Sequence, residues 1–385
     1  MNHEATLLAE PRGLTISQRI KDRTQKRKLE TLPRKLIEGN SLGSPEEYVV
    51  FMHGGAGAND EEWYNLRKSG ANRAAQLGEK LITSGFYSPG DVAVQMVADG
   101  EYDVNLIAGI GSDKNRRGKY QFDAFSMNPD TLGIATAIGR AKNPVYASRL
   151  IQYLPDADLI TSEDATIFAK EQGLTFYTKS ELNAGFKAGA ESRYELYTPS
   201  DTIGAIVAAK WNGIWDIAIA GSTGGMRKKR GGRVGDCGVP AAGFYVDRFI
   251  NEEYGVSYIA AALLSGVGEA TMHKSPAGRW VQGAMGAGTN VYLGINTVRS
   301  ILKTNIDGVQ GWGALAGLTI YEARNNIKRG NIVILPTVPY FPYAAYSNLS
   351  NFYIEEVPQI DDDATRTATN MNGRRIKVGT SLSSI

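Results

Sequence analysis

Apolar positions along the chain fall into compact runs that predict buried strands. Such runs occupy 48–52, 203–207, 217–220, 258–264 and 332–335, and residues 121–127 have the pattern of a further short strand. Two of the runs lie close together within 201–236, where Trp211-Asn212-Gly213 makes a turn-like break between them. We therefore expect two neighbouring strands at the centre of the chain, followed by a polar, glycine-rich loop.

Helical signals fill the intervals between these runs. Apolar periodicity and capping residues predict helices over 63–81, 89–99, 132–154 with a break at Pro144, 162–172, 289–303 and 313–325, and another that starts within 283–288. Residues 175–200 are polar and lack periodicity, so a mobile linker is expected before the central strands. Separate groups of strands and helices favour an α/β or α+β sandwich of sheets covered by helices.

Length and composition are those of an ordinary globular protein. The chain has 385 residues, 42% of them hydrophobic, which suits one large domain or two smaller ones. A net charge of +2 gives no general attraction to nucleic acid or membrane, and no apolar run is long enough to span a bilayer. The N-terminus lacks the apolar stretch of a secretory signal, so a cytoplasmic location is expected.

Both ends of the chain differ in composition from its middle. Residues 1–46 form a basic N-terminal extension, with lysine and arginine concentrated between Lys21 and Lys35. A solvated arm or surface helix is the simplest interpretation, because no aromatic residues or motif support nucleic-acid binding there. The tail from about residue 359 is acidic, then basic, and is expected to be disordered.

Scarce cysteine and histidine narrow the chemistry. Cys237 is the only cysteine, which excludes an internal disulfide and a thiolate metal cluster. Three histidines in the whole chain argue against a multi-histidine metal site, so no metal ligands are assigned. The glycine-rich loops at 53–58 and 108–118 lack the P-loop pattern, and the glycines of 283–288 are out of order for a dinucleotide fingerprint.

With so few histidines, a nucleophile would need another base. The candidate is Thr202, which follows Asp201 at the start of the first central strand. An N-terminal threonine can use its own α-amine as the base. That amine has an ordinary pKa of about 7.7–8.0, close to working pH. Thr202 is internal, so this hypothesis requires cleavage of the Asp201–Thr202 bond; otherwise Thr202 is simply a threonine at a strand start.

Three blocks around Thr202 resemble the signature of the type 2 asparaginases, a family of N-terminal nucleophile hydrolases. They are Asp201-Thr202-Ile203-Gly204-Ala205, Ser222-Thr223-Gly224-Gly225-Met226 and Gly232-Arg233-Val234-Gly235-Asp236. Blocks at 53–57, 109–112, 123–127 and 142–149 are similar to the same family in the same order. The family includes isoaspartyl peptidases, plant-type asparaginases and glycosylasparaginases. The resemblance covers about residues 48–268 and extends more weakly to about residue 346.

The resemblance implies an α+β fold, the four-layer αββα sandwich of N-terminal nucleophile hydrolases. It also implies a precursor that cleaves itself at Asp201–Thr202, giving an α chain from residues 47–201 and a β chain from residues 202–385. The mature protein would be a dimer of such αβ units that binds a small aspartyl substrate. No cofactor is expected apart from a structural sodium ion near the first helices, and neither nucleic acid nor membrane is an expected partner.

The same resemblance assigns roles to individual residues. Thr202 would be both autoprocessing residue and nucleophile, and Thr223 would orient it by a hydrogen bond. Arg233 would hold the substrate α-carboxylate through two parallel bonds, and Asp236 would hold the α-ammonium. The remaining positions would form the oxyanion hole and a carbonyl contact to the ligand: Ser265 with Gly266, and Gly268.

The reaction implied is hydrolysis of the β-amide of asparagine or of an isoaspartyl peptide bond, through a β-aspartyl ester on Thr202. Hydrolysis of the sugar–asparagine amide is the alternative; the pair Asp201-Thr202 favours it, whereas the block at 53–58 favours the isoaspartyl group. Remoter alternatives are an aspartyl endopeptidase, an amidase of specialised metabolism, and an uncleaved, inactive homologue that binds a ligand or partner.

The sequence departs from the family pattern at positions that bear on specificity. Ser265 replaces a threonine but retains a hydroxyl. Ile107 stands where the family usually has asparagine, and Asn105 lies two residues away. The run from Arg227 to Arg230 is expected to make the rim of the site basic. These differences concern the identity of the substrate more than the type of reaction.

Overall fold

The described part of the chain contains both helices and strands. The computed structural model describes residues 41–57, 61–106, 108–190, 202–226, 228–251, 256–266, 268–286, 305–306, 309–310, 313–323, 327–336, 338, 340–356, 366–370 and 375–378. The helices within these ranges are α1 Glu61–Thr83, α2 Pro89–Glu101, α3 Pro144–Ile151, α4 Ser162–Glu171, α5 Lys179–Ala190, α6 Gly268–Met272 and α7 Pro276–Gly286. The strands are β1 Glu47–His53, β2 Phe122–Met127, β3 Leu132–Ile138, β4 Leu159–Thr161, β5 Thr202–Trp211, β6 Ile214–Thr223, β7 Phe244–Asn251, β8 Val256–Gly266, β9 Asn305–Ile306, β10 Val309–Gln310, β11 Gly313–Ala323, β12 Ile327–Pro336, β13 Tyr343–Ser347, β14 Phe352–Glu356, β15 Arg366–Asn370 and β16 Arg375–Val378.

Two seven-stranded sheets contain most of the strands. Their orders are β13-β1-β5-β6-β2-β3-β4 and β16-β15-β14-β12-β11-β8-β7, and β9 pairs separately with β10. Among the described strands, only β3–β4 and β12–β14 pair in parallel. The mixed class of sheets and helices expected from the sequence is confirmed.

Within the described ranges, four apolar cores hold the sheets and helices together, the fourth of which packs α3, α4 and α5 on β2 and β3. The first lies between the sheets, where Phe125 and Phe244 stack with ring centroids 3.7 Å apart. The second lies between the outer face of the first sheet and helices α1 and α2, and the third between the second sheet and α7. Successive strand residues therefore enter different cores, as Ile206 and Val207 do. Burial on both faces explains the continuous apolar runs in the sequence.

The central pair of strands forms the hairpin β5–β6. The strands pair in antiparallel fashion from Thr202 opposite Thr223 to Trp211 opposite Ile214. Asn212 and Gly213 make the turn, with positive φ angles of 50° and 78° that suit a two-residue hairpin loop. Because so short a turn fixes the register, the first residue of β5 lies opposite the last residue of β6.

Two segments predicted as helix are strands instead. Residues 132–138 form β3 and residues 313–323 form β11, so the first prediction is right only from Pro144, where α3 begins. Both strands are buried over most of their length, and their small, apolar residues show no alternation that separates strand from helix. At Gly317 in β11, an added Cβ would lie 2.5 Å from the Trp280 ring, so α7 packs directly on this strand.

Further differences concern boundaries and the predicted linker. The glycine at 286 ends α7 rather than lying within a helix that starts at 283–288, and two segments of the tail form β15 and β16. The linker predicted over 175–200 contains α5, which begins with a capping box. In it, the Thr178 N–H donates to Glu181 Oε2 at 2.8 Å and the Glu181 N–H to Thr178 Oγ1 at 3.1 Å. This Thr-x-x-Glu pattern is the sequence signal for α5.

Some predictions fall on residues that the structure does not describe. They are the helix over 289–303 and most of the N-terminal extension. The strands predicted at 48–52, 121–127, 203–207, 217–220, 258–264 and 332–335 and the helices at 63–81, 89–99 and 162–172 are confirmed, with shifts at their ends. No described helix has both the length and the apolar character needed to cross a membrane.

Candidate active site

The ends of three strands meet where the two sheets face each other. Thr202 begins β5, Thr223 ends β6, and Ser265 is the second-last residue of β8. The Thr202 N–H donates to Ser265 Oγ at 3.2 Å, and the Ala56 N–H from the loop after β1 donates to the same oxygen at 2.9 Å. Segments remote in sequence therefore form one buried cluster that contains three of the predicted site residues.

The hydroxyl of Thr202 makes no hydrogen bond to any described residue. The residue is only 3% exposed, and Oγ1 is shielded from solvent. A buried hydroxyl without a partner costs free energy, because its hydrogen bonds to water are not replaced. It is therefore available to a bound or reacting group. Asp201, on the other side of the predicted cleavage site, lies outside the described residues.

Thr223 lies directly opposite Thr202 in the hairpin register. Its Oγ1 accepts a hydrogen bond from the Gly225 N–H at 2.9 Å, which fixes the chain as it leaves β6. Gly225 has a φ of 72°, in the left-handed region that favours glycine. An added Cβ at Gly224 would lie 2.2 Å from Ser112 Oγ. The two glycines of this sequence block thus serve backbone geometry and close packing beside Thr223.

Arg233, Asp236 and Gly268 form a second cluster near the same end of β8. An added Cβ at Gly268 would lie 2.9 Å from Arg233 Nη2 and 3.2 Å from Asp236 Oδ1, so this glycine lies against both side chains. Arg233 Nη1 and Asp236 Oδ2 are buried and have no hydrogen-bond partner among the described residues. An open donor and an open acceptor in one cluster can bind the carboxylate and the ammonium of one amino acid. Gly266 is buried at the end of β8, between Ser265 and this cluster.

Glu269 belongs to this cluster and is missing from the sequence-based prediction. Arg233 donates to it twice, from Nε to Oε1 at 2.9 Å and from Nη2 to Oε2 at 2.7 Å. These bonds engage the Nε–Nη2 edge of the guanidinium, so a substrate carboxylate would have to bind at the Nη1 side, and the two parallel bonds expected from Arg233 stay a prediction. A glutamate at the start of a short helix gives no sequence signal of this contact, which depends on how the Arg233 turn packs on α6.

Burial makes Asp236 a weaker acid than an ordinary aspartate. It raises the pKa of this carboxyl to about 6, and the neighbouring Arg233 guanidinium limits the shift. The Cys237 N–H donates to Asp236 Oδ1 at 3.1 Å. Burial also raises the pKa of the Cys237 thiol, which agrees with its interpretation as a packing residue. Asp236 is thus ionised at neutral pH but loses its charge in mild acid.

A buried ion pair contacts the turn that carries the second cluster. Lys229 Nζ lies 3.5 Å from Asp123 Oδ2, and the two side chains are 2% and 0% exposed. The Gly235 N–H lies 3.5 Å from the same Asp123 oxygen, so this carboxylate links β2 to the turn that carries Arg233 and Asp236. The expectation that Lys229 contributes to a basic rim is wrong, because its charge is used inside the protein.

Exposed basic side chains occupy two neighbouring loops beside this turn. We call these the basic rim: Arg116, Arg117, Lys119, Lys228 and Arg230. The loops are held together because the Arg116 N–H donates to the Lys229 carbonyl at 2.9 Å and its Nε to the Lys228 carbonyl at 3.1 Å. Lys228 and Arg230 are thus on the surface as expected, and Arg227 lies outside the described residues.

The loop after α2 holds the residue considered as a substitute for the family's asparagine. Asn105 is buried, and its N–H and Nδ2 both donate to Asp103 Oδ1 at 3.0 Å. Arg67 Nε donates to the Asn105 carbonyl at 3.3 Å. These contacts lie within the loop and with α1, rather than with Thr202. Ile107 lies outside the described residues.

Backbone carbonyl oxygens also converge in this loop. An added Cβ at Gly111 would lie 1.9 Å from the Leu106 oxygen and 2.9 Å from the Val104 oxygen. Within the described part of the chain, no three or more histidine, cysteine, aspartate or glutamate side chains group in a way that could hold a metal ion.

His53 is a buried packing residue at the end of β1. Its Nδ1 accepts a hydrogen bond from the Gly55 N–H at 3.3 Å, and its ring stacks on Phe341 with centroids 5.1 Å apart. Burial lowers its pKa to about 3, so the ring is uncharged at neutral pH. An added Cβ at Gly204 would lie 2.6 Å from His53 Nε2, which explains glycine two residues after Thr202.

Known proteins are similar to this chain over the segment that contains both clusters. The sequence profile of the asparaginase family matches residues 46–316. An isoaspartyl peptidase/L-asparaginase of Danio rerio is 32% identical over 274 residues, which are 68% of this chain and 84% of that protein. A protein of the same name from Xenopus laevis is 29% identical over 305 residues, or 72% and 97% of the two chains. A plant-type L-asparaginase of Pyrobaculum calidifontis is 33% identical over 239 residues, or 57% and 74%.

The extent of these matches settles the family. The profile match runs from the first strand into β11 and includes the hairpin of Thr202 and the turn of Arg233 and Asp236. The chain belongs to the type 2 asparaginase family.

Proposed function

We propose that this protein is a self-processing threonine amidohydrolase that cleaves β-aspartyl amide or isopeptide bonds, as an L-asparaginase or isoaspartyl peptidase. The observation that carries the proposal is the buried, open hydroxyl of Thr202, whose backbone nitrogen contacts Ser265. The open groups of Arg233 and Asp236 support it. Membership of the asparaginase family and the names of the relatives support the substrate class.

Self-processing would begin with the Thr202 hydroxyl. Oγ1 attacks the carbonyl carbon of Asp201, the C–N bond to Thr202 breaks, and the nitrogen receives the proton that the oxygen loses. Water then hydrolyses the resulting ester to the Asp201 carboxylate and a free hydroxyl. Ser265 supports this step, because its Oγ lies 3.2 Å from the Thr202 nitrogen. It can give its proton to that leaving group while it takes up the proton that Oγ1 loses.

Turnover would use the same hydroxyl together with the new α-amine. The amine accepts the Oγ1 proton as the oxygen attacks the β-carbonyl of the substrate, and the leaving amine takes a proton as its C–N bond breaks. Water hydrolyses the β-aspartyl ester and releases aspartate. Thr223, opposite Thr202, would orient the nucleophile. Ser265 Oγ already accepts hydrogen bonds from two N–H groups. Its own O–H, beside Gly266, would therefore donate to the developing oxyanion.

Substrate binding would use the open pair in the second cluster. The α-carboxylate would bind Arg233 Nη1, and the α-ammonium would bind Asp236 Oδ2. Gly268 supports this assignment, since an added Cβ there would crowd Arg233 Nη2 and Asp236 Oδ1 at 2.9 and 3.2 Å. Holding both charges of the aspartyl group fixes its β-carbonyl relative to Thr202.

The fold and assembly are part of the same proposal. The cores on both outer faces and between the sheets support a four-layer αββα sandwich of the N-terminal nucleophile type. The mature protein would be a dimer of αβ units in the cytoplasm. The reaction needs no cofactor; a structural sodium ion would find neutral oxygen ligands in the loop of Val104 and Leu106.

Replacing the nucleophile tests the proposal. Thr202→Ala should leave a single chain of 385 residues on denaturing electrophoresis, where the wild type gives chains of 201 and 184 residues. It should also abolish hydrolysis of asparagine and β-aspartyl dipeptides. Thr319→Ala, which alters a buried strand threonine in β11, is the matched control and should do neither. Retained hydrolysis in Thr202→Ala would refute the nucleophile, and a wild type that stays uncleaved and inactive would favour a binding protein.

A further inference from the structure

Glu269 binds the Nε–Nη2 edge of the Arg233 guanidinium. The pair is bidentate, with N–O distances of 2.9 and 2.7 Å. The Arg233 side chain is 12% exposed and that of Glu269 is 45% exposed. The carboxylate therefore lies on the solvent side of the guanidinium, and the arginine lies between Glu269 and the interior of the site.

This contact engages only the Nε–Nη2 edge of the guanidinium, and both hydrogens of Nη1 and the second hydrogen of Nη2 are not used by Glu269. Two of the three guanidinium nitrogens donate to Glu269, and Nη1 remains buried without a partner among the described residues. Nη1 points toward the backbone of Gly235, where an added Cβ would lie 2.8 Å away. Asp236 Oδ2 is the matching open acceptor.

The two open groups have opposite charges and lie close enough to attract each other. Both side chains contact the backbone of Gly268, and charge attraction in a buried site is weakly screened. A guanidinium free to rotate would close on Asp236 and form an internal ion pair. A substrate would then have to break that pair before its own ammonium and carboxylate could bind.

We propose that Glu269 is a positioning residue, which holds the Arg233 guanidinium away from Asp236 and so keeps both groups open for the zwitterionic end of the substrate. The inference rests on the proposed function of the site. It adds a residue that touches no substrate atom and acts on specificity only through Arg233.

Replacing the charge of Glu269 tests this role. Glu269→Gln should raise KM for a β-aspartyl dipeptide by about tenfold or more. Arg233 would then pair with Asp236, and the substrate would lose a charge-assisted contact to the arginine. The kcat should stay within about twofold. Glu269→Asp, which keeps the charge on a shorter stem, should recover part of the loss. The matched control is Glu181→Gln on α5. It removes the charge of a similarly exposed glutamate that pairs with Lys142, and it should leave KM unchanged.

A double substitution separates positioning from general damage. In an Arg233→Ala background, Glu269→Gln should change KM by less than about twofold, because its effect passes through the arginine. An equal rise of KM in both backgrounds, or no rise in the single variant, would overturn the inference.

Calorimetric titration with L-aspartate distinguishes this failure from failure of the proposed function. Binding to the uncleavable Thr202→Ala protein that weakens in Thr202→Ala/Glu269→Gln supports the inference even if no substrate is hydrolysed. Hydrolysis by the wild type with equal aspartate affinity in both proteins would reject Glu269 alone. Absence of aspartate binding to the Thr202→Ala protein would reject this inference too.

Discussion

The site combines a threonine, a serine and an aspartate, and each side chain has the environment that its proposed chemistry requires. Thr202 is buried with an open hydroxyl, Ser265 holds two backbone N–H groups beside it, and Asp236 is a buried acid with one open oxygen. None of these environments follows from residue type. They arise because the ends of strands and one tight turn exclude water while leaving particular atoms unpaired.

The pKa of Asp236 predicts opposite effects of pH on binding and on stability. Below about pH 6 the carboxyl gains a proton and can no longer attract an ammonium, so KM should rise as the pH falls through this value. Loss of the α-amine base of Thr202 would reduce kcat instead, from a higher pH of about 8. Separate pH profiles of KM and kcat check this; a KM that stays constant between pH 5 and about pH 7 would contradict it.

Stability should change in the other direction. The folded pKa lies above the ordinary 3.8, so the folded state binds this proton more tightly, and Asp236 lowers the free energy of unfolding as the pH rises through about 4 to 6. Asp236→Asn should therefore raise the free energy of unfolding at pH 7.5, by up to roughly 3 kcal/mol, while it impairs binding. Asp216→Asn, at another carboxyl with a raised pKa, is the control and should leave KM unchanged.

Helices and strands contribute by close packing that fixes where the site residues stand. Strand β8 carries Ser265 and Gly266, and its neighbour β11 is held from outside by Trp280 of α7. The contact is possible because β11 has glycine at position 317. Packing on the far face of the second sheet thus supports the strand that ends in the site.

Gly317→Ala tests this support. The added methyl group would overlap the Trp280 ring at 2.5 Å, and overpacking of this kind should reduce the free energy of unfolding by about 1–3 kcal/mol. Gly286→Ala at the end of α7, where an added Cβ meets nothing within 4 Å, should have a much smaller effect. Urea denaturation of both variants measures the difference; equal stability would show that β11 and α7 adjust without cost.

The charge distribution of the molecule is uneven although its net charge is only +2. The basic rim gathers five exposed cations on two loops beside the turn of Arg233. A field of one sign beside a cleft raises the local concentration of oppositely charged substrates, and salt screens it.

The rim should therefore favour β-aspartyl peptides with an acidic leaving residue. Their kcat/KM should exceed that of peptides with a basic leaving residue, and the difference should shrink as salt is raised. Arg116→Glu with Lys228→Glu should reverse the preference. The control is Lys80→Glu with Lys170→Glu, at exposed positions on α1 and α4. It changes the net charge by the same amount and should not reverse the preference. A preference that neither salt nor the rim variants alter would show that the rim does not act on substrates.

Sequence reasoning was reliable for elements with strong local signals. The apolar runs of β1, β5, β6 and β8 are continuous because both faces of these strands are buried, and the caps and periodicity of α1 and α2 are clear. It failed for β3 and β11, because small apolar residues buried on both faces have no period. The capping box at Thr178 was present in the sequence and identifies α5.

The family of this protein, the hairpin around Thr202 and the residues that could form a site can be read from local order along the chain. Which atoms remain open depends on the packing of the folded protein. Ser265 reaches Thr202 across two sheets, Lys229 turns inward to Asp123, and Glu269 takes two bonds of Arg233. Such pairings depend on the packing of segments far apart in the chain, and packing leaves no trace in local sequence.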